Sequence, residues 1–467
     1  MDLQLFDMIS PLDFRYYGAS DEALNLLHPV LSEAARVRFE ARTEAALAKA
    51  FASVGVCSQE IAEEIAQSAE AVTAEEVAEE EARIKHNIRA LVNCMRTRVS
   101  DDAKPYIHLG ATSFDIIDTA TAARYKAAYF EAVLPVLKRL MATWIAMAEK
   151  HADQVQIGRT HGQFAEPITF GFAVAGYVSR MGQVIERATA TANNLRGKLS
   201  GAVGAGNALS LLVEDANGLE ATFLGYLGLA ASPTSTQIVE PEYVTDYFHC
   251  LTMALGVMAD FSDDMRHLQR SELGEVQEEF EKDQVGSSTM PHKRNPWNFE
   301  NVKSFWKAFA PRMVTVYQDQ LCEHQRDLTN SASSRFSQEI IAAVVLSALR
   351  LNRISSKLTV DAEGMARNFA KAAPFIIAEP AYILLAKAGH PDAHEASRKL
   401  TLEAEKSGKS FSELLFEDAE LAPYLAKLSE AERALLADPA RYTGFALSKA
   451  RARSEEHTSE LQSRQSI

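Results

Sequence analysis

Apolar residues recur at helical spacing along most of the chain. Residues 31–54 are dominated by Ala, Leu, Glu and Arg and read as a helix, and a second helical hairpin follows. Residues 74–97 read as one helix. Pro105 breaks the pattern, and residues 119–153 then form a long helix with Pro135 as its kink, spanning ~50 Å at about 1.5 Å per residue. Helix resumes near Pro167 and runs through Leu195. Residues 243–282, 297–324 and 334–358 are further long helices. Residues 361–450 read as shorter helices with turns at Pro374, at Gly389-His390-Pro391 and at Pro423. No stretch alternates as a strand, and no internal repeat is present. The tail, residues 454–467, is polar and structureless by pattern; it reads as a disordered, non-native remnant of cloning or sequence assembly.

The predicted fold class is therefore all-α. Helices of such length exceed what one small bundle needs and tend to pack against copies of themselves. The expectation is a homo-oligomer with a shared helical core. The chain has 467 residues, 47% of them hydrophobic, enough for a large core in two or three domains or one extended helical unit. Its 48 Lys and Arg face 63 Asp and Glu, and the net charge of −15 argues against nucleic acid as a partner. Cys57, Cys94, Cys250 and Cys322 lack metal-site spacing, which suits free thiols in a reducing compartment. The start MDLQLFDMIS lacks the basic and apolar regions of a secretory signal, and no apolar run reaches membrane-spanning length. A soluble, cytoplasmic protein without a membrane partner is expected.

The polar loops between the helices are where chemistry is expected. GSSTMPHKRNP, residues 286–296, offers the hydroxyls of Ser287 and Ser288, the Lys293 ammonium and the Asn295 amide. An acidic helical run, GEVQEEFEKDQ, precedes it; Asn295 reads as an N-cap and Pro296 as the first helical residue after it. In HLGATSFDIIDTA, residues 108–120, Thr112 or Ser113 can cap a helix, with Asp115 favouring its dipole. The same geometry aims backbone N–H groups at a bound carboxylate, and both readings stand. In IGRTHGQFAEPITFG, residues 157–171, Thr160, His161 and Gln163 crowd between glycines. His161 is a better acid–base candidate there than His86, which the pattern places on a helix face with Lys85 and Asn87. GKLSGAVGAGNAL, residues 197–209, has neither phosphate-loop nor dinucleotide spacing and reads as a tight connector. Arg15 beside Tyr16 is a surface pair or an anion clamp.

Taken together, GATSFD, GRTHGQ and GSSTMPHKRNP resemble, in order and spacing, the three conserved segments of the fumarase/aspartase superfamily. The resemblance covers residues 2 to about 450. Within that superfamily the chain is most similar to the branch acting on a succinylated purine nucleotide. SPLDFRY resembles its SPLDGRY, KHN at 85–87 its His-Asp segment, STQ at 235–237 its glutamine loop, and RDLTNSASSR its phosphate segment. Asn87 stands where members carry Asp, and IVEPEYVTDY follows Gln237 where many carry an Arg-Asp run.

The resemblance implies an N-terminal helical domain (1–110), a central bundle of long helices (111–360) and a helical C-terminal domain (361–453). It implies a homotetramer whose active sites draw on several subunits. The implied reaction is anti elimination of fumarate from a small-molecule nucleotide, with no metal and no organic cofactor. By the same resemblance Ser287 is the base, His161 the acid for the leaving amine, and Lys293 with Asn295 the partners of the nascent fumarate. Thr112 and Ser113 would bind a succinyl carboxylate, and Gln237 would orient the substrate. His86 would assist or bind phosphate, which Arg15, Tyr16, Ser331 and Arg335 would hold. Lys85, Asn87, Asp115, Thr160, Ser288, Met290 and Arg326 complete the implied substrate-binding set. Another enzyme of the superfamily, such as an argininosuccinate lyase, an aspartase or a carboxymuconate cycloisomerase, and a non-catalytic homologue are the rival readings; intact Ser287, Lys293 and His161 argue for catalysis.

Overall fold

Helix follows helix because the caps are written into the sequence. In a computed structural model, which describes residues 5–280, 286 and 288–463, Ser20, Ser32, Ser58 and Thr73 each accept a backbone N–H from three residues on. They open α1 (Asp21–Leu31), α2 (Glu33–Ser53), α3 (Gln59–Ala71) and α4 (Ala74–Ile84). Each such cap contributes about 1 kcal/mol. The single helix expected over residues 74–97 is instead two. Lys85 turns left-handed at φ 62°, and His86 becomes the N-cap of α5 (Asn87–Arg96), its Nδ1 accepting from the Arg89 N–H at 3.2 Å. No Gly or Pro marks this break; an imidazole nitrogen does what Ser or Asn usually does.

The long helix around Pro135 starts earlier than expected, as α6 (Ser113–Ala128), and continues through a π-helical turn (Tyr129–Val133) into α7 (Leu134–Lys150). The Leu134 N–H reaches back to Tyr129 O, one residue further than in an α-helix. That wider turn, placed just before the proline, relieves the clash its ring would make with the preceding turn.

No strand was expected, yet three two-stranded pairs are present among the described residues. β1 (Val155–Thr160) and β2 (Gln163–Thr169) form an antiparallel hairpin, with a register shift between Ile157 and Arg159. Its two-residue turn is His161–Gly162 at φ 55° and 75°, the doubly left-handed turn whose twist matches a hairpin. Gly158 and Pro167 interrupt the alternation that would have marked the strands. α8 (Phe170–Asn193) accordingly begins after Pro167. A short parallel pair, β3 (Arg196–Gly197) and β4 (Ala230–Ala231), flanks α9 (Ala216–Gly225).

α10 (Glu242–Leu268) stops well before residue 282. Gly274 takes φ 58° and β5 (Val276–Gln277) follows, so the first part of the acidic run is not helical. α11 (Trp297–Phe309) and α12 (Arg312–Gln318) are separated at Pro311. After α13 (Glu339–Ser355) comes β6 (Thr359–Val360), antiparallel to β5. The remaining helices are α14 (Ala362–Ile376), α15 (Ala378–Lys387), α16 (Ala393–Ser407), α17 (Phe411–Glu417), α18 (Ala422–Leu425), α19 (Glu430–Ala437) and α20 (Ala446–Ser463). Residues 454–463 thus continue a helix rather than forming a structureless tail. Among the described residues one stretch, Ala362–Lys387, is long and apolar enough to cross a membrane, against expectation. It divides at Ile377 into α14 and α15 and buries Met365, Ala372, Ala381 and Leu385; core helices pass the same test. The class is all-α, as the periodicity required.

The chain divides into two compact units, residues 1–138, 183–258 and 304–350 in the first, and 139–182, 259–303 and 351–467 in the second. In the first, α2 lies against α3 and α6 over buried Leu47, Phe51 and Ile65. The rings of Tyr125 and Tyr247 stack at 6.1 Å, and the Tyr247 hydroxyl donates to Tyr125 O at 3.0 Å. In the second, Trp144 is buried 4.5 Å from the Phe261 ring and donates to Ser355 Oγ at 3.3 Å. Its C-terminal helices close over Leu385, Phe411, Leu415 and Leu436. Each fully buried side chain of this kind contributes about 1.5–3 kcal/mol.

Candidate active site

In the first unit the site grows from the first turn of α6. Thr112 is the N-cap and Ser113 the first helical residue, both half-buried. The Thr112 N–H donates to Asp115 Oδ2 at 2.8 Å, so the capping reading of this segment holds. Asp115, expected to bind substrate, is instead entirely buried and spent within the protein. It pairs with the buried Lys198 ammonium and accepts the Ser200 N–H at 3.0 Å and the Gly201 N–H at 3.2 Å. Lys198 also donates to Gly201 O at 3.2 Å, and its backbone N–H donates to Thr119 Oγ1 at 3.0 Å. Lys198 is not among the residues expected at the site. The signal available was that it is the one charged residue in GKLSGAVGAGNAL.

Residues 197–209 are the tight connector expected. Gly204 lies at φ 81°, and a Cβ there would fall 2.0 Å from Ser235 O. The hydroxyls of Ser200 and Ser235 are 2.6 Å apart, which ties the connector to the loop carrying half-buried Gln237. The Val239 N–H donates to Asp118 Oδ2 at 2.9 Å. Burial pushes the Asp118 carboxyl up to about 6, against the pull of that N–H and of the Lys198 and Arg326 charges. Glu240, where a basic run was the family pattern, is folded onto its own loop: the Ser232 hydroxyl and the Thr234 N–H both donate to it.

Two further segments reach this region. The Arg326 guanidinium lies over the Phe114 ring at 4.3 Å, so residues 325–335 meet the first turn of α6. Just before that turn, His108 takes φ 64° and its Nδ1 lies 2.7 Å from the buried Glu44 carboxylate. Burial opposes the imidazolium, but Glu44 outweighs it and raises His108 above the ordinary histidine value; Arg89 opposes. The structure thus brings Thr112, Ser113, Gln237 and Arg326 into one neighbourhood. Lys85, His86 and Asn87 sit at the α4–α5 junction, where the ring of His86 is occupied as a cap. Arg15, Ser331 and Arg335 are exposed, and Tyr16 packs edge-on to Phe305 at 4.7 Å.

The second unit holds the other expected residues. His161 is exposed at the hairpin tip beside Thr160. Two residues before it, Arg159 pairs with the fully buried Glu275 at 2.5 Å, which anchors β1 close to the turn. In residues 286–296, the Lys293 N–H closes a turn onto Met290 O at 2.9 Å with Pro291 at its second position, a standard proline site. Ser288, Met290 and Lys293 are exposed. Asn295 is not the N-cap expected: its Nδ2 donates to Gly286 O at 3.0 Å and closes the loop at its base. Glu278 takes over the helix end, accepting the Phe299 N–H at 3.0 Å and the Asn298 side-chain amide at 2.8 Å. Ser287 lies outside the described residues.

A lyase family model matches residues 15–307, and an adenylosuccinate lyase C-terminal model matches residues 322–439. Adenylosuccinate lyase of Pyrococcus horikoshii is 34% identical over 425 residues, 90% of this chain and 92% of that protein. Its counterpart in Archaeoglobus fulgidus is 32% identical over 446 residues, 94% of this chain and 96% of that protein. Among solved structures, the 3-carboxy-cis,cis-muconate lactonizing enzyme of Pseudomonas putida aligns with a TM-score of 0.81 at 26% identity, covering 96% of this chain and 99% of that one. The long helices and the polar loops they carry therefore define a lyase of the fumarase/aspartase superfamily. Within it the chain belongs to the adenylosuccinate lyase family.

Proposed function

We propose that this lyase cleaves adenylosuccinate to AMP and fumarate by anti β-elimination, and the succinylated imidazole carboxamide ribotide in the same way. The observation that supports it most is the succession of two family models along the chain, the second specific to adenylosuccinate lyase. The elimination removes a proton from the carbon beside a carboxylate, forms the carbon–carbon double bond and breaks the carbon–nitrogen bond. The nitrogen leaves with a proton. No net electrons move, so a base, an acid and fixed positive charge balance the step.

In this reading Ser287 takes the proton, with Lys293 compensating the dianionic intermediate. His161 protonates the leaving amine. Thr112 and Ser113, at the positive end of α6, hold a succinyl carboxylate. Gln237 orients the substrate, and Arg15, Tyr16, Ser331 and Arg335 hold its phosphate. We further infer a cytoplasmic homotetramer, with domains at 1–110, 111–360 and 361–453 and active sites drawn from several subunits.

The test is purified protein incubated with adenylosuccinate and followed by the fall in its ultraviolet absorbance. Ser287→Ala is expected to lower kcat by several orders of magnitude while substrate still binds. Near-normal kcat in that variant would remove Ser287 as the base. A second reading is favoured by the Pseudomonas putida neighbour. Turnover of 3-carboxymuconate with none of adenylosuccinate would replace the first reading with it.

A further inference from the structure

We propose that Lys198 and Ser200 are positioning residues: a strut running Asp115–Lys198–Ser200–Ser235, fully buried at its Asp115–Lys198 end, sets the Thr112–Ser113 turn and the Gln237 loop against each other. The proposal rests on reading Thr112, Ser113 and Gln237 as substrate-binding residues.

One carboxylate serves both sides. Asp115 accepts from Thr112, which carries the turn, and from Ser200, Gly201 and the Lys198 ammonium, which belong to the connector. Thr119, one turn further along α6, exchanges hydrogen bonds with both the N–H and the C=O of Lys198, so the connector's start cannot slide along the helix. From Ser200 the hydroxyl contact passes to Ser235, two residues before Gln237. Gly204 presses on the backbone of the same loop, with space for no side chain. Asp118, on the same face of α6, holds the far end of that loop through the Val239 N–H.

Apolar side chains of matching volume would often serve stability as well as a buried ion pair does. What they would not supply is direction. Ammonium and carboxylate fix the angles and distances of every group they bond, and misplacement by about 1 Å at such a site can cost about 100-fold in rate.

Two variants test this. Ser200→Ala keeps the backbone bond to Asp115 and removes only the link to Ser235, so the protein folds. Lys198→Met/Asp115→Leu removes both charges together and leaves neither unpaired. In each, KM for adenylosuccinate is expected to rise, about tenfold or more in the double variant, with a smaller change in kcat. Hydrogen–deuterium exchange of residues 235–239 is expected to quicken, although the double variant alters no group bonded to them. A merely structural role would lower the unfolding midpoint and leave KM and this exchange unmoved. Unchanged exchange at 235–239 in both variants overturns the proposal, and if the double variant does not fold, Ser200→Ala alone decides. Exchange needs no substrate. A wild-type protein inert toward adenylosuccinate therefore sinks the proposed reaction while the strut is still judged by exchange.

Discussion

Glu275 is the residue on which the His161 hairpin hangs, and its replacement has a calculable cost. The carboxylate is fully buried and accepts Gln156 Nε2 at 2.7 Å, Arg159 Nη2 at 2.5 Å and Nη1 at 3.3 Å, and Asn368 Nδ2 at 2.8 Å. Its own backbone is fixed as well, the N–H on Leu268 O and the C=O on the Asp361 N–H, both at 2.9 Å. One carboxylate therefore joins β1, the segment after α10, and α14. Glu275→Gln keeps the volume but withdraws the charge and turns an NH2 toward donors. Breaking a buried pair costs about 3–5 kcal/mol. Arg159 keeps 17% of its side chain exposed and so regains some water, which brings the expected loss to about 3 kcal/mol. Arg159→Met should lose a similar amount. Glu275→Gln/Arg159→Met should lose less than the sum, with a coupling of about 1–3 kcal/mol. Urea unfolding of the four proteins at one pH measures this, provided the m-values agree. Additive losses, or less than about 1 kcal/mol for each single variant, would refute the account, since an exposed pair behaves that way.

Two predictions concern pH. The Asp118 carboxyl is raised to about 6 from an unfolded value near 4. Its contribution to stability is therefore present at low pH and is lost as pH rises toward about 6 and beyond. Asp118→Asn should remove that slope, so the variant's stability relative to wild type improves between pH 5 and pH 7 in thermal melts; a constant difference would contradict it. His108 is raised by the Glu44 carboxylate. Its ion pair is fully present below the unfolded histidine value of about 6.5 and fades as pH rises through the higher folded value. The stability lost in His108→Gln should shrink from pH 6 to pH 9, and a loss independent of pH would exclude the ion pair as its source.

Much of this protein is legible in its sequence because the determinants are local. Period and caps specify the helices: Ser20, Ser32, Ser58 and Thr73 each sit where the first turn needs an acceptor. Short polar strings specify the family, because a Thr-Ser turn at a helix start, a Gly-flanked histidine and a serine–lysine loop each need particular residue types in a row. Other features depend on partners distant in sequence. Lys198 finds Asp115 across 83 positions, and Glu278 caps a helix 20 residues on, displacing Asn295 from the role its position suggested. The hairpin escaped notice because its strands are held by a two-residue turn and by Arg159 on Glu275 rather than by alternation. Composition and period decide that a segment is helical, since those preferences act within a turn or two. Only the tertiary structure decides which buried charge meets which, because a desolvated group must take the partner that folding brings within reach.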